Sequence, residues 1–166
     1  MVFDYYYRLS RKNQAVYDRS DAITAVRLPD AEPLKNRVAD LRQALVAEDK
    51  KGAQTSCQSL ATGMSERFKV SATRIKVLAA RPHDDYGELQ GLYEGEAGEV
   101  TITLWMRTAR RRKVVAFRTF LRTFLHEFCH HLDYECFKLA DSFHTEGFYK
   151  RESSLFHQLV DTDAKD

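Results

Sequence analysis

The stretch from Thr119 to Phe148 constrains this chain most, because its centre carries the pattern HEFCH at residues 126–130. Residues four positions apart lie one above the other on the same face of an α-helix. The imidazoles of His126 and His130 would therefore point the same way, with Glu127 beside them. Such a helix can hold one zinc ion between the two imidazoles, and its glutamate can reach a water molecule on that ion.

The residues around the motif favour a buried helix with a functional face. Large apolar side chains recur at spacings of three and four, as on a helix that packs into a core: Phe117, Leu121, Phe124, Phe128 and Leu132. The second face is polar throughout: Thr119, Thr123, His126, Glu127, His130 and Asp133. A solvated surface helix is the alternative, but it would give no reason for titratable groups to concentrate on one face.

Composition indicates a globular protein of one domain, residues 1–166. The chain is 43% apolar and 30% charged, and its formal charge of +2 argues neither for nor against nucleic acid as a partner. No apolar run approaches the roughly 20 residues that a membrane span needs, and the N-terminal residues do not resemble a secretory signal. The three cysteines, Cys57, Cys129 and Cys136, form no C-x-x-C pair. We therefore expect a cytoplasmic protein with no membrane partner.

Hydrophobic periodicity divides the chain into helices and a small sheet, so the predicted fold class is α+β. Residues 1–70 form a helical layer, residues 74–106 a small and mostly antiparallel sheet, and residues 113–160 the helices that would carry a metal. The predicted helices cover residues 3–19, 33–47, 53–68, 113–137 and 147–160. Strands are predicted at 74–79, 89–93 and 100–106, with a turn at 81–85, a hairpin loop at 94–99 and a polar tail at 161–166.

A dense basic segment, RTARRRK, occupies residues Arg107 to Lys113. A charge run of this kind is usually a solvated turn, and that is our main interpretation. The alternative is a patch that binds phosphate, DNA or an acidic partner. No aromatic residue is interleaved within the segment, so nothing in it indicates base stacking.

A catalytic zinc usually has three protein ligands and an open position, so a third ligand is required. The candidates after the motif are His131, Glu135, His144, Glu146, Glu152 and His157. We favour His144, because the loop at 138–143 is long enough to bring it back over the motif helix. The alternatives are Glu152, on the last helix, and Glu146. His131 points away from the pair, and we expect it at the rim or in solvent.

The motif, followed by thirteen residues and then HTEGF at 144–148, resembles the SprT-like and WLM-type zincin metallopeptidases. Their third histidine typically opens an H-G-x-x-F-like segment, whereas Thr145 stands here in place of the glycine. The compact size is also similar to that of the minigluzincins, which use a glutamate as third ligand. The resemblance covers roughly residues 100–159. It implies a zincin-like domain with an active-site helix and a C-terminal helix.

The resemblance implies a zinc-dependent peptidase in which His126, His130 and His144 hold Zn²⁺ and Glu127 is the acid/base. A peptide or protein substrate would pair with an edge strand, expected at 100–106 or 89–93. Asp133 is either an orienting partner of a ligand or a solvent-exposed residue. Tyr93 and Tyr149 are both candidates for stabilising the oxyanion.

A second alternative is a non-catalytic zincin in which zinc is structural. That site would need a fourth protein ligand, for which Glu146 and Cys136 are the candidates.

Overall fold

The computed structural model describes residues 1–84, 87–96 and 98–161, without the side chains of residues 83, 84, 87, 88 and 96. Parts of the predicted turn, hairpin loop and tail, namely residues 85, 97 and 162–166, lie outside the described residues. Within these described residues the architecture is α+β, with five α-helices and a three-stranded mixed sheet. The helices are α1 (Arg11–Ala22), α2 (Leu34–Val46), α3 (Lys50–Phe68), α4 (Phe117–Glu135) and α5 (Glu146–Leu159). The strands are β1 (Thr73–Ala80), β2 (His83–Asp84), β3 (Gly87–Glu88), β4 (Gly91–Glu96) and β5 (Glu99–Arg107).

The first predicted helix is divided in two. A short 3-10 helix at Asp4–Arg8 precedes α1, and the break falls at Ser10. The Ser10 hydroxyl accepts a hydrogen bond from the backbone N–H of Asn13, which caps α1. At the start of α3 the Asp49 carboxylate caps the helix in the same way, accepting from Gly52, so α3 begins three residues before its predicted start.

The sheet has the strand order β1–β5–β4, and β5 is its central strand. The predicted hairpin is confirmed, since β4 pairs with β5 in antiparallel register. The expectation of a mostly antiparallel sheet is wrong, because β1 pairs with β5 in parallel, with Thr73 opposite Val100. Alternating hydrophobicity predicts that a strand exists, but it does not determine the direction of its partner. A separate two-stranded ribbon, β2–β3, lies between β1 and β4 in the chain.

The helix that carries the motif begins four residues later than predicted. Val114 forms an isolated antiparallel bridge with Arg107, and the N–H of Val115 donates to the carbonyl of Met106. These bonds keep the chain extended after β5, so α4 begins at Phe117. The basic segment is a solvated turn, closed by the N–H of Thr108, which donates to the carbonyl of Lys113.

One hydrophobic core joins the helices to one face of the sheet. The apolar stripe of α4 packs there with side chains drawn from residue 28 to residue 160. The core takes at least one fully or nearly fully buried side chain from each of six elements: Leu41, Leu60, Ile75, Ile102, Phe124 and Leu155. Among the described residues, no helix combines the length and the apolarity that a membrane crossing requires.

Candidate metal centre

Three imidazoles converge beside the middle of α4. The Nε2 atom of His144 lies 3.1 Å from the Nε2 atom of His126 and 3.1 Å from that of His130. His126 and His130 are one turn apart on α4, and His144 lies in the loop that leads into α5. The structure therefore brings together the three histidines that were predicted from the sequence as metal ligands.

The tautomers of the two helical histidines follow from their hydrogen bonds. His126 Nδ1 lies 2.9 Å from Oε1 of Glu152. A carboxylate only accepts hydrogen bonds, so Nδ1 carries a proton, and in the neutral imidazole Nε2 then presents a lone pair. His130 Nδ1 lies 2.7 Å from the Ser142 hydroxyl, which donates its own hydrogen to Asp133. That hydroxyl must accept from His130, so His130 Nε2 also presents a lone pair.

These lone pairs make the cluster a fitting site for a cation. A single N–H on His144 Nε2 could satisfy only one of its two neighbours. Burial, together with the nearby imidazoles of His126 and His144, lowers the pKa of His130 to about 3. Two nitrogens on one tetrahedral zinc lie roughly 3.4 Å apart. The observed spacing of 3.1 Å is close to this value, and imidazole is a ligand that suits zinc.

The Phe148 ring forms the floor of the site. It is fully buried, and its centroid lies 4.9 Å from that of His126, 4.8 Å from that of His130 and 5.2 Å from that of His144. Phe148 belongs to the first turn of α5, where Thr145 caps the helix by accepting from the Phe148 N–H. Packing against one buried ring restricts all three imidazoles.

A buried ion pair supports His130 from behind. Asp133 accepts from Ser142 at 2.7 Å and from the Arg151 guanidinium at 2.9 Å. Arg151 is fully buried and also donates to the carbonyls of Ser20 and Ile23 in and after α1. Burial raises the pKa of Asp133, and its bonds to Arg151 and Ser142 oppose that rise. Asp133 is therefore a buried residue that orients His130 through Ser142. Of the two possibilities that the sequence left open for Asp133, an orienting partner or a solvent-exposed residue, the structure supports the first.

Glu127 lies at the wall between α4 and β4. It is 8% exposed, and burial raises the pKa of its carboxyl group. A Cβ atom on Gly91 would lie 3.0 Å from Glu127 Oε1 and 2.8 Å from Thr123 Cγ2. Only a glycine in β4 therefore permits this close approach without displacing a neighbour. Glu127, His126 and His144 line an open cleft of about 600 Å³ that runs along this wall.

The expectation that His131 lies at the rim or in solvent is wrong. His131 is fully buried, and its Nε2 donates to the carbonyl of Ser71 at 2.8 Å. Its Nδ1 accepts from the Tyr93 hydroxyl at 3.0 Å, and the pKa of Tyr93 is raised by burial to about 12. This pair ties β4 to α4. Because the Tyr93 hydroxyl is engaged there, Tyr149, at 41% exposure beside His126, is the better placed of the two tyrosines.

The alternative ligands do not join the cluster. Glu152 contacts the far nitrogen of His126 and so acts as its hydrogen-bond partner. Glu146 forms an ion pair with Lys150 at 3.2 Å, and Cys136 is exposed. Within the part of the chain that the structure describes, the only group with metal-binding spacing is His126, His130 and His144.

In the basic segment, Arg107 forms an ion pair with Glu48 at 3.0 Å.

Sequence reasoning missed Ser142 and Arg151. Arg151 had a detectable signal, because it falls between Phe148 and Leu155 on the apolar stripe of α5. A charged residue at such a position indicates a buried partner of opposite charge. Ser142 had no signal, since an isolated loop serine is common.

No protein-family model, curated protein or solved structure matches this chain.

Proposed function

We propose that this protein is a zinc-dependent, zincin-like peptidase. The observation that carries the proposal is the convergence of three imidazole Nε2 atoms beside Glu127 in an open cleft. His126, His130 and His144 would hold Zn²⁺. Zinc at such a site polarises a carbonyl group and lowers the pKa of water. The resemblance to SprT-like and WLM-type families supports the same reaction class.

Glu127 would move the proton of the hydrolysis. It would accept a proton from the attacking water as the water oxygen bonds to the scissile carbonyl carbon. It would then deliver that proton to the leaving amine nitrogen as the C–N bond breaks. Its raised pKa suits this role, because a base whose pKa lies nearer to neutral can also return the proton.

The edge strand β4 would bind the substrate backbone. Among the strands that the structure describes, β4 pairs with β5 alone, and it forms one wall of the cleft beside Glu127. An extended peptide could add to this edge by main-chain hydrogen bonds. Of the two segments predicted as edge candidates, 89–93 overlaps β4, whereas 100–106 lies in the central strand β5.

A cytoplasmic location is part of the proposal, supported by three cysteines that form no disulfide.

A structural zinc is less well supported. Structural sites are usually closed by four protein ligands, whereas catalytic sites keep one position open. Neither Glu146 nor Cys136 belongs to the described group of ligands. Three histidine ligands beside a buried carboxylate and a cleft would leave a bound zinc accessible to substrate, which favours the catalytic alternative.

The first test is the zinc content of purified protein. We expect stoichiometric zinc in the wild type and its loss in His144→Ala. Glu152→Ala should retain a weakened site, because Glu152 only orients His126. Glu146→Gln, a surface change, is the control and should bind zinc normally. A wild type that binds no zinc would contradict the proposal.

The second test concerns Glu127. Glu127→Gln should keep its zinc and lose peptide hydrolysis by roughly 10²–10⁴-fold, the usual contribution of a general base. Cleavage of a casein or peptide mixture, followed by mass spectrometry, measures this loss. Glu146→Gln makes the same chemical change outside the cleft and should cleave at the wild-type rate. Equal rates in Glu127→Gln and wild type would refute the role of Glu127.

A further inference from the structure

The cleft carries a fixed positive charge beside the metal centre. Arg122 precedes His126 by four residues, so it lies one turn earlier on the same face of α4. Its side chain lines the same cleft as His126, Glu127 and His144. A ligand that reaches the three histidines through this cleft passes Arg122.

A buried aromatic ring holds the Arg122 guanidinium in place. Its central carbon lies 3.9 Å from the centroid of the Phe156 ring, and Phe156 is 1% exposed. Arg118 lies against the same ring at a longer distance of 4.9 Å. Stacking on an aromatic face leaves the N–H groups at the guanidinium edge directed outward. Because Arg122 also lines the cleft, a ligand there could accept hydrogen bonds from these N–H groups.

The carboxylates of the cleft do not neutralise Arg122. Glu152 is bonded to His126, and Glu127 packs against Gly91. Among the described residues, Arg122 takes part in no ion pair, and its guanidinium lies against the Phe156 ring. A half-buried cation without a counter-ion attracts an anion from the ligand more strongly than an exposed one does.

The opposite side of Glu127 has a different chemistry. A smaller depression of about 260 Å³ lies there, between β4 and the end of α4. Its walls include Tyr93 and Tyr134, whose rings stack with centroids 6.2 Å apart and an interplanar angle of 14°. No lysine or arginine lines it. A peptide lying along β4 would therefore meet a cation on one side of the reacting centre and aromatic rings on the other.

We propose that Arg122 determines specificity by binding a carboxylate of the substrate about one helical turn from the metal centre. This inference rests on the proposed peptidase function. The carboxylate is either an acidic side chain near the scissile bond or the C-terminus of the peptide. Both would accept the two parallel N–H bonds that a guanidinium offers.

The test compares matched neutral and acidic peptides. The probes are labelled alanine-rich hexapeptides with a blocked N-terminus and an amidated C-terminus. Each carries Glu or Gln at one scanned position. A further pair carries a free or an amidated C-terminus and no acidic side chain. Binding is measured by fluorescence anisotropy on zinc-loaded Glu127→Gln protein, which should bind without turnover.

We expect one acidic position, or the free C-terminus, to strengthen binding about tenfold over its neutral counterpart. The added variant Arg122→Gln should bring that ratio close to one. Arg118→Gln is the matched control, since it also removes an arginine from the Phe156 ring, and it should keep the ratio. Unchanged zinc content and thermal midpoint would establish that Arg122→Gln is folded. The preference should weaken as salt is added.

A ratio near one in the parent protein, a ratio that survives Arg122→Gln, or the absence of any peptide binding would overturn the inference. Cleavage of the same peptides by the wild-type protein distinguishes a failure of the Arg122 inference from a failure of the proposed peptidase function. A carboxylate preference in binding without any cleavage would support the Arg122 site and contradict the peptidase. Cleavage without preference would support the peptidase and contradict the Arg122 site.

Discussion

Ser142 is a single loop residue on which the orientation of the His130 ring depends. Its hydroxyl accepts from His130 Nδ1 and donates to Asp133, so it transmits the position of the buried ion pair to the imidazole. Arg151 holds the other oxygen of Asp133. Partners of this kind fix both the ring orientation and the tautomer of a ligating histidine.

Removing that hydroxyl should weaken metal binding. We predict that Ser142→Ala lowers zinc affinity by roughly 10–100-fold, because His130 loses the acceptor that keeps its proton on Nδ1. Competition with a fluorescent chelator measures the change. Ser153→Ala, the same substitution on α5, is the control and should bind zinc as the wild type does. Equal affinities in the two variants would contradict the role of Ser142.

At the scale of single residues, the sequence predicted correctly which side chains lie together when their positions follow from helical spacing. The separation of four residues between His126 and His130 already placed both rings on one helical face, and the convergence of His144 with them agrees with the expectation. The environment of His131 was not predictable in this way. Its burial depends on Ser71 and Tyr93, which are 60 and 38 positions away. Helical geometry alone contains no information about such partners.

At the scale of elements, the junction between α1 and α5 determines where His144 lies. A Cβ atom on Gly147 would lie 2.5 Å from the carbonyl oxygen of Asp21 and 2.7 Å from that of Ser20. The Gly147 N–H also donates to the Asp21 carboxylate at 3.0 Å. The first turn of α5 thus packs directly on the backbone of α1, and His144 precedes that turn by two residues.

Adding one methyl group at this junction should separate the two helices. We predict that Gly147→Ala destabilises the protein by about 1–3 kcal/mol, because backbone atoms must move to admit the side chain. Chemical denaturation of the metal-free protein measures the change. Gly95→Ala is the control, since its Cβ would meet only Val100 at 4.0 Å. A similar free energy of unfolding in the two variants would argue against the tight junction.

The elements themselves were largely predictable, but their pairing was not. Periodicity located α2 and α5 to within one residue at each end and predicted the hairpin of β4 and β5. It did not reveal that β1 runs parallel to β5, because alternation is the same in both kinds of pairing. Nor did it reveal the delayed start of α4, which depends on a bridge between Val114 and Arg107.

For the whole molecule, a ligand that binds only the folded state adds to its stability. We predict that zinc at 100 times its dissociation constant raises the free energy of unfolding by about 2.7 kcal/mol, and the melting temperature by roughly 5 °C or more. Differential scanning fluorimetry with zinc and with chelator measures the shift. Glu146→Gln should keep the shift and His144→Ala should lose it. A shift that persists in His144→Ala would contradict the three-histidine site.

The candidate metal ligands lie close together in the chain, and this affects the order in which the site is assembled. His126 and His144 are 18 positions apart, whereas the bonds that brace the site reach Ser20, 131 positions from Arg151. Contacts between near neighbours close small loops and lose less chain entropy than distant ones. We therefore expect a folding chain to acquire metal affinity once α4 and α5 meet, before β4 docks against them. Zinc binding would then report first on this helix pair, docking of α1 would strengthen it, and peptide binding would report that the entire fold has formed.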